Sequence, residues 1–207
     1  MTFTDSASDS GKSATRERIL DAAAEVFATK GYHSSVVDDI VHDSNTSKGA
    51  VYFHFPSKQE IFLALVSRLA DTLIRSTQDA IMEQQDGLAK FDAALGTVFE
   101  ALSRHRALAK ILLVSGAGLG RPFDEHLFNL LDRFAGMIKD NLDEAIAAGS
   151  IQQMDTSIVA YAWLGAVHEI VTRWLYTGKP DPLETAVPTL RILLLGSVGL
   201  PIGTAGR

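Results

Sequence analysis

The residues best suited to chemistry stand close together, in the run Ser47-Lys48-Gly49-Ala50-Val51-Tyr52-Phe53-His54-Phe55-Pro56-Ser57-Lys58. Lys48 carries a cation that can donate to guanine O6 and N7 or to a phosphate. Gly49 and Ala50 are small enough for a helix backbone to come close to base edges. Tyr52 and His54 add hydrogen-bond donors beside them. Lys58 follows Pro56-Ser57, at the start of a further helix, where its charge and the free backbone N–H groups could meet one phosphate. This is the chemistry of gripping a polyanion rather than of breaking bonds. Taken singly, each residue also has a bland reading: Lys48 a solvated lysine, Tyr52 a half-buried packing residue, His54 a cap, Gly49 a helix-start glycine. Val51, Phe53 and Phe55 include inward-facing partners, and Phe53, Phe55, Phe27 and Ile40 are expected in the core.

No set of residues suggests catalysis. The chain has no cysteine, which removes disulfides, zinc fingers and thiol chemistry together. Asp38 and His42 share a helical face and Asp124-Glu125-His126 forms a cluster, but neither is a recognisable metal-ligand set. There is no phosphate loop, no GxSxG and no E-x-x-H pair. The expectation is a protein that is not an enzyme, with no catalytic residue, no metal and no cofactor.

The charge balance weighs against bulk attraction to nucleic acid. The 207 residues carry a net charge of −6, and residues 1–60 hold six basic against nine acidic side chains. Any DNA affinity must therefore come from where a few cations sit. The 46% hydrophobic content is that of a globular chain long enough to bury a substantial core. Residues 1–13 lack the basic start and apolar run of a secretion signal, and the uncharged stretch after Arg191 is short and broken by Gly196, Gly199, Pro201 and Gly203. The reading is a cytoplasmic protein with no membrane span.

The elements that must position these residues are all helical. Residues 1–13 read as a disordered arm. Thr15 is a candidate N-cap for a helix carrying Ile19, Ala22, Ala23, Val26 and Phe27, ended by Lys30 and Gly31. Ser35-Val36-Val37-Asp38 has the form of a capping box opening a short helix with Val37, Ile40 and Val41. Ser44-Asn45-Thr46 breaks it, and Asn45 suits the left-handed backbone of a tight turn. A third short helix covers Lys48 to His54. Two short helices joined by such a break and braced by a longer one form a helix-turn-helix pattern.

Longer helices follow over residues 58–84, 88–103 and 105–115, then from Pro122 to Ala148, and from Asp155 to Tyr176. The last is opened by Asp181-Pro182-Leu183-Glu184, read as cap, Pro and capping-box acid. The fold class is all-α, about nine helices, with a helix-turn-helix three-helix domain over residues 14–60. A helical bundle for ligand binding and dimerisation spans 61–198, and residues 199–207 form a flexible tail.

The stretches TRERILDAAAEVFATKGY, VVDDI and SKGAVYFHFPSKQEIF, in that order and spacing, resemble the N-terminal domain of the TetR family of bacterial transcriptional regulators. The resemblance covers about a quarter of the chain. It implies a homodimer whose recognition helices read a palindromic double-stranded DNA operator, with a C-terminal bundle that binds a small-molecule effector. By position it implies Ser47, Lys48, Gly49 and Ala50 at the opening of the recognition helix, Tyr52 and His54 on its middle and end, and Lys58 as the phosphate-contacting lysine. Two departures stand out. Asn45-Thr46 replaces the family's usual Gly-Val in the turn, and Val36 stands where a Thr often touches phosphate, which leaves that contact to Ser34 or Ser35.

Beyond residue 155 the pattern is apolar nearly all round: Ile158, Val159, Tyr161, Trp163, Leu164, Val167, Ile170, Val171, Trp174 and Leu175, then Leu190, Ile192, Leu193, Leu194, Leu195 and Val198. Such helices need cover on more than one face. A homodimer through the last two helices supplies it, and in the family these helices form that interface; a monomer's own core is the bland alternative. Candidate effector contacts are Phe99, Phe128, Phe134, Met137, Trp163, His168 and Trp174. The function expected is a ligand-responsive DNA-binding regulator, a repressor released from its operator by effector. A transcriptional activator of the same fold stays open, as does a small-molecule-binding module without sequence-specific DNA binding.

Overall fold

The computed structural model describes residues 5–115 and 120–200. Nine α-helices cover these residues: α1 (Asp5–Lys30), α2 (Val37–Asp43), α3 (Lys48–His54), α4 (Lys58–Met82), α5 (Gly87–Arg104), α6 (Arg106–Lys110), α7 (Arg121–Ala147), α8 (Thr156–Thr177) and α9 (Val187–Ser197). A π-helical turn, Ile111–Ser115, prolongs α6, and a 3-10 turn, Leu183–Ala186, precedes α9. No described residue is in a strand.

The chain divides into two compact units after Ala70, inside α4. The boundary lies beyond residue 60 because Ile61, Phe62 and Leu65 are buried with the first unit. There Ile19, Leu20, Ala23 and Phe27 of α1, Ile40 of α2 and Val51 of α3 form the core with them. Phe62 meets Phe27 edge-on at 5.5 Å and Tyr32 at 5.0 Å. Arg68 ties α4 to α1 through Glu17 at 3.0 Å and Asp21 at 2.8 Å.

The first helix starts earlier than expected. Thr15 is no cap: its Oγ1 donates to the Gly11 carbonyl at 3.0 Å, one turn back inside a helix that already runs from Asp5. The expected arm is therefore helix over residues 5–13, and residues 1–4 lie outside the described residues. At the other end Gly31 adopts φ +76° and its N–H reaches the Phe27 carbonyl at 2.9 Å, as the sequence predicts.

The second unit is built on Leu95, Phe99, Trp163, Val171, Trp174, Leu175, Leu190 and Leu194. Asp155 caps α8 by accepting from the N–H groups of Ser157 and Ile158, and Gly178 closes it at φ +72°. The expected cap at Asp181-Glu184 does not form. Glu184 instead accepts a 2.5 Å bond from Ser103, Leu183 is buried, and α9 starts at Val187 with Pro188 in its first turn. Of the expected tail, residues 199–200 are fastened: Gly199 takes φ +76° and the Leu200 N–H bonds the Leu195 carbonyl at 3.1 Å. Residues 201–207 lie outside the described residues.

Candidate nucleic-acid interface and effector cavity

The turn between α2 and α3 is set by Asn45 at φ +50°, within the left-handed region that Asn tolerates. The Thr46 hydroxyl lies 2.7 Å from that of Ser44, which is buried, so the polar residue in the turn satisfies a polar partner. Ser47 then caps α3, its Oγ accepting from the Ala50 N–H at 3.1 Å.

Helix α3 turns one residue inward. Val51 is fully buried, while Lys48, Gly49, Tyr52 and Phe53 are exposed and Ala50 and His54 half-exposed. Phe53 corrects the sequence reading, which put it in the core: it is 70% exposed. Two residues on from Val51 is about 200° around a helix, so both cannot share its inner face. Phe55 follows the helix on extended backbone and is buried, with the Arg16 guanidinium 5.3 Å from its ring centre. A Cβ added to Gly49 would meet only Ser47 Oγ, at 3.9 Å, so internal packing does not require a glycine there.

Electrostatics in this region are paired. Lys48 Nζ lies 2.7 Å from Asp38 Oδ1, with both side chains more than half exposed, and the carboxylate holds the ammonium's pKa above its ordinary value. Lys30 meets Asp39 at 2.6 Å, and Asp39 also accepts from the Val36 N–H at 3.0 Å. Together these hold the Asp39 carboxyl below its usual range.

Asp39 is therefore the acid that reaches back to the start of α2, in place of the expected Ser35–Asp38 box. Ser35 is 1% exposed and donates to the Tyr32 carbonyl at 2.8 Å, so its hydroxyl is turned away from any phosphate. Lys58 is also largely committed. Two of its three donors reach the carbonyls of Tyr32 at 2.6 Å and Ser35 at 2.7 Å.

The second unit holds a half-open cavity of about 380 Å³ between α4, α5, α7, α8 and α9, within the roughly 300–1,000 Å³ range of small-molecule sites. Of the seven predicted contacts it brings together Phe134, Met137 and Trp163. Phe99 and Trp174 are instead buried outside the lining; Arg106 lies over the Trp174 ring at 4.6 Å. His168 is half-buried and Phe128 is 69% exposed, and neither lines the cavity.

The sequence reading missed most of the wall. Lys90, Phe91, Ala94, Leu95 and Val98 of α5 face Ile138, Asn141, Leu142 and Ala145 of α7. Their helical spacing is visible in the sequence, but it is equally that of an ordinary core face. The polar lining residues Gln85, Lys90, Asn141 and Glu144 fall toward the start of α5 and the end of α7, where Lys90 Nζ is 4.0 Å from Glu144 Oε2.

The family profile described as "Bacterial regulatory proteins, tetR family" matches residues 19–65, and that of the tetracyclin repressor-like C-terminal domain matches residues 84–196, more than half of the chain. The chain belongs to the TetR family. It is accordingly a ligand-responsive, DNA-binding transcriptional regulator.

Among its TetR-family relatives, the HTH-type regulator YdgC of Bacillus subtilis is 26% identical, with 93% of this chain and 96% of YdgC covered. The fatty acid metabolism regulator protein of the same organism is 24% identical, over 86% and 93%. Among solved structures, the FadR regulator of Bacillus subtilis in complex with stearoyl-CoA has the same fold, with a TM-score of 0.77 at 22% identity, covering 88% of this chain and 98% of that one. The TetR-family N-terminal profile takes in α2, the Asn45 turn and α3 whole, and the C-terminal profile takes in the α5 and α7 walls of the cavity. Among the described residues no group of His, Asp and Glu could hold a metal ion, and no helix is long and apolar enough to cross a membrane.

Proposed function

We propose that the chain acts in the cytoplasm as a homodimeric repressor that binds a palindromic operator and is released by an apolar small molecule held in the second unit. The outward face of α3 supports this reading most directly: Lys48, Gly49, Tyr52 and Phe53 are all presented, with Val51 alone anchoring the helix. Ser47 contributes through the cap that fixes the first turn of α3. Ala50 and His54 flank the reading face. Ser35 is withdrawn from the contact set, and Lys58 serves chiefly as a brace.

Dimerisation would use α8 and α9. Ile158, Tyr161, Ala162 and Gly165 form an exposed stripe on the first half of α8, Tyr176 lies exposed at its end beyond the Glu169–Arg173 ion pair, and Ile192 and Leu193 lie exposed on α9. Large exposed apolar side chains at helical spacing are expected of a face that a partner covers. The small residues Ala162 and Gly165 would let two helices approach closely.

The effector is proposed to be a long-chain acyl compound. The cavity is walled by apolar side chains along much of α5 and α7, and Gln85, Asn141 and Glu144 join Lys90 toward the start of α5 and the end of α7, a pattern suited to a chain with an anionic head. The similarity to a fatty acid metabolism regulator and to a FadR regulator in complex with stearoyl-CoA supports the same class. Binding that favours a state mismatched to half-site spacing would lower operator affinity by differential affinity for two conformations.

The decisive experiment is selection of duplexes from a random pool by the full chain, then a salt titration and an acyl-compound titration on the selected sequence. A palindrome with half-sites about one turn apart, bound with steep salt dependence and released by ligand, is the expected result. Absence of any enriched sequence from folded protein would replace this reading with that of a ligand-binding module.

A further inference from the structure

The Asp38–Lys48 pair stands at the meeting of the two short helices, one residue at the start of α2 and the other at the start of α3. Its presence on a DNA-reading surface needs explaining. A carboxylate brought into the groove of a polyanion is disfavoured unless it finds a donor, and the donors that line the major groove are the amino groups of cytosine and adenine. The two charged atoms lie 2.7 Å apart, and both side chains are free to face a base, being 65% and 58% exposed.

We infer that Asp38 and Lys48 act as one unit that reads a single base pair in each half-site, the carboxylate accepting from an amino group and the ammonium donating to its paired partner. The match is geometric. In a C·G pair the cytosine N4 donor and guanine O6 acceptor are themselves joined by a hydrogen bond, so they lie about 2.9 Å apart. The outward N4–H and the free O6 lone pair diverge, so a protein acceptor and donor at 2.7 Å meet both through bent hydrogen bonds, without separating. The ion pair enters the groove as a net-neutral unit and closes a ring of hydrogen bonds with the base pair.

The same geometry sets a ranking. An A·T pair presents adenine N6 and thymine O4 in the same donor–acceptor order, so it is tolerated. Lys48 has further donors, and beside O6 a guanine offers N7 where a thymine offers only a methyl group, so C·G is preferred. Reversed pairs, G·C and T·A, put an acceptor against the Asp38 carboxylate and are rejected. The half-site therefore carries C, then A, with G and T excluded at one position on the strand facing Asp38.

This inference rests on the operator reading above, and the test separates the two. Full-length wild type, Asp38→Ala and Asp38→Asn are each taken through duplex selection, followed by affinities on duplexes changed one base pair at a time. Circular dichroism shows that each variant is folded. The expected result is a wild-type preference of about tenfold or more for amino-bearing bases at one position per half-site. Asp38→Ala should flatten that position alone, and Asp38→Asn, whose amide both donates and accepts, should admit G and T there. Asp38→Ala with an unchanged base profile, or with affinity shifted equally on every duplex, would overturn the paired reading while leaving the operator intact. A wild-type chain without any base preference would overturn both.

Discussion

The ammonium of Lys58 sits 4.5 Å from the centre of the Tyr32 ring and donates to the carbonyl oxygens of Tyr32 and Ser35. It thereby pins the segment before α2 to the start of α4. Lys58→Met should remove two charge-assisted hydrogen bonds and destabilise the protein by about 2 kcal/mol in denaturant unfolding. The salt dependence of operator binding in folded Lys58→Met should stay that of wild type. A slope reduced by about one would instead assign Lys58 to a phosphate.

Asp39 gives the first unit an acid-sensitive contact. Its carboxyl is held below 3.8 by the Lys30 ammonium first and the Val36 N–H second. The folded state then binds fewer protons than the unfolded one as pH falls below about 4, so the stabilisation is complete above that value and lost through the lowered pKa. Asp39→Asn should therefore be less stable than wild type at pH 7, with the gap closing as the pH falls below the ordinary carboxylate range in thermal unfolding. A gap independent of pH would show that the carboxylate's charge contributes nothing.

Trp163 lines the cavity and Trp174 does not, and they are the only two tryptophans. In Trp174→Phe, the emission of Trp163 should shift when a palmitoyl compound is added. In Trp163→Phe the remaining emission should stay constant under the same titration. Ala94→Phe, which projects bulk into the cavity, should abolish the first response and leave the protein on its operator at ligand concentrations that release wild type.

Leu193 is 61% exposed within the single chain. A charge there meets water in the monomer, so Leu193→Glu should fold normally, but two copies facing each other in a dimer would bury unpaired carboxylates. Sedimentation should show wild type as a dimer and Leu193→Glu as a folded monomer with weakened operator binding. A dimeric Leu193→Glu would place the interface elsewhere.

The turns and several helix ends were legible because single residues decide them. Asn45 and Gly31 take the positive φ their types permit, and Asp155 caps α8 through its own side chain. Ser35 and Glu184 carried equally good local signals and were used otherwise, because a capping group competes with every partner the fold brings near it. Ser35 found the Tyr32 carbonyl, and Glu184 found Ser103, a residue 81 positions away. The cavity was half legible for a related reason. Aromatic type drew attention to Phe99, Phe128 and Trp174, yet burial and orientation depend on helix phase, and of the predicted contacts only Phe134, Met137 and Trp163 face the space.

What this sequence determined by itself was the succession of helices, the left-handed turn at Asn45, and the small and cationic residues that open α3. Those follow from backbone preference and short-range periodicity, which act within a few residues. The tertiary structure decided which of the resulting surfaces is exposed. It turned Phe53 out and Ser35 in, bound Lys58 to two carbonyls, and set Asp38 against Lys48. Each outcome depends on which helix faces pack together, and that choice is made by contacts between residues remote in sequence.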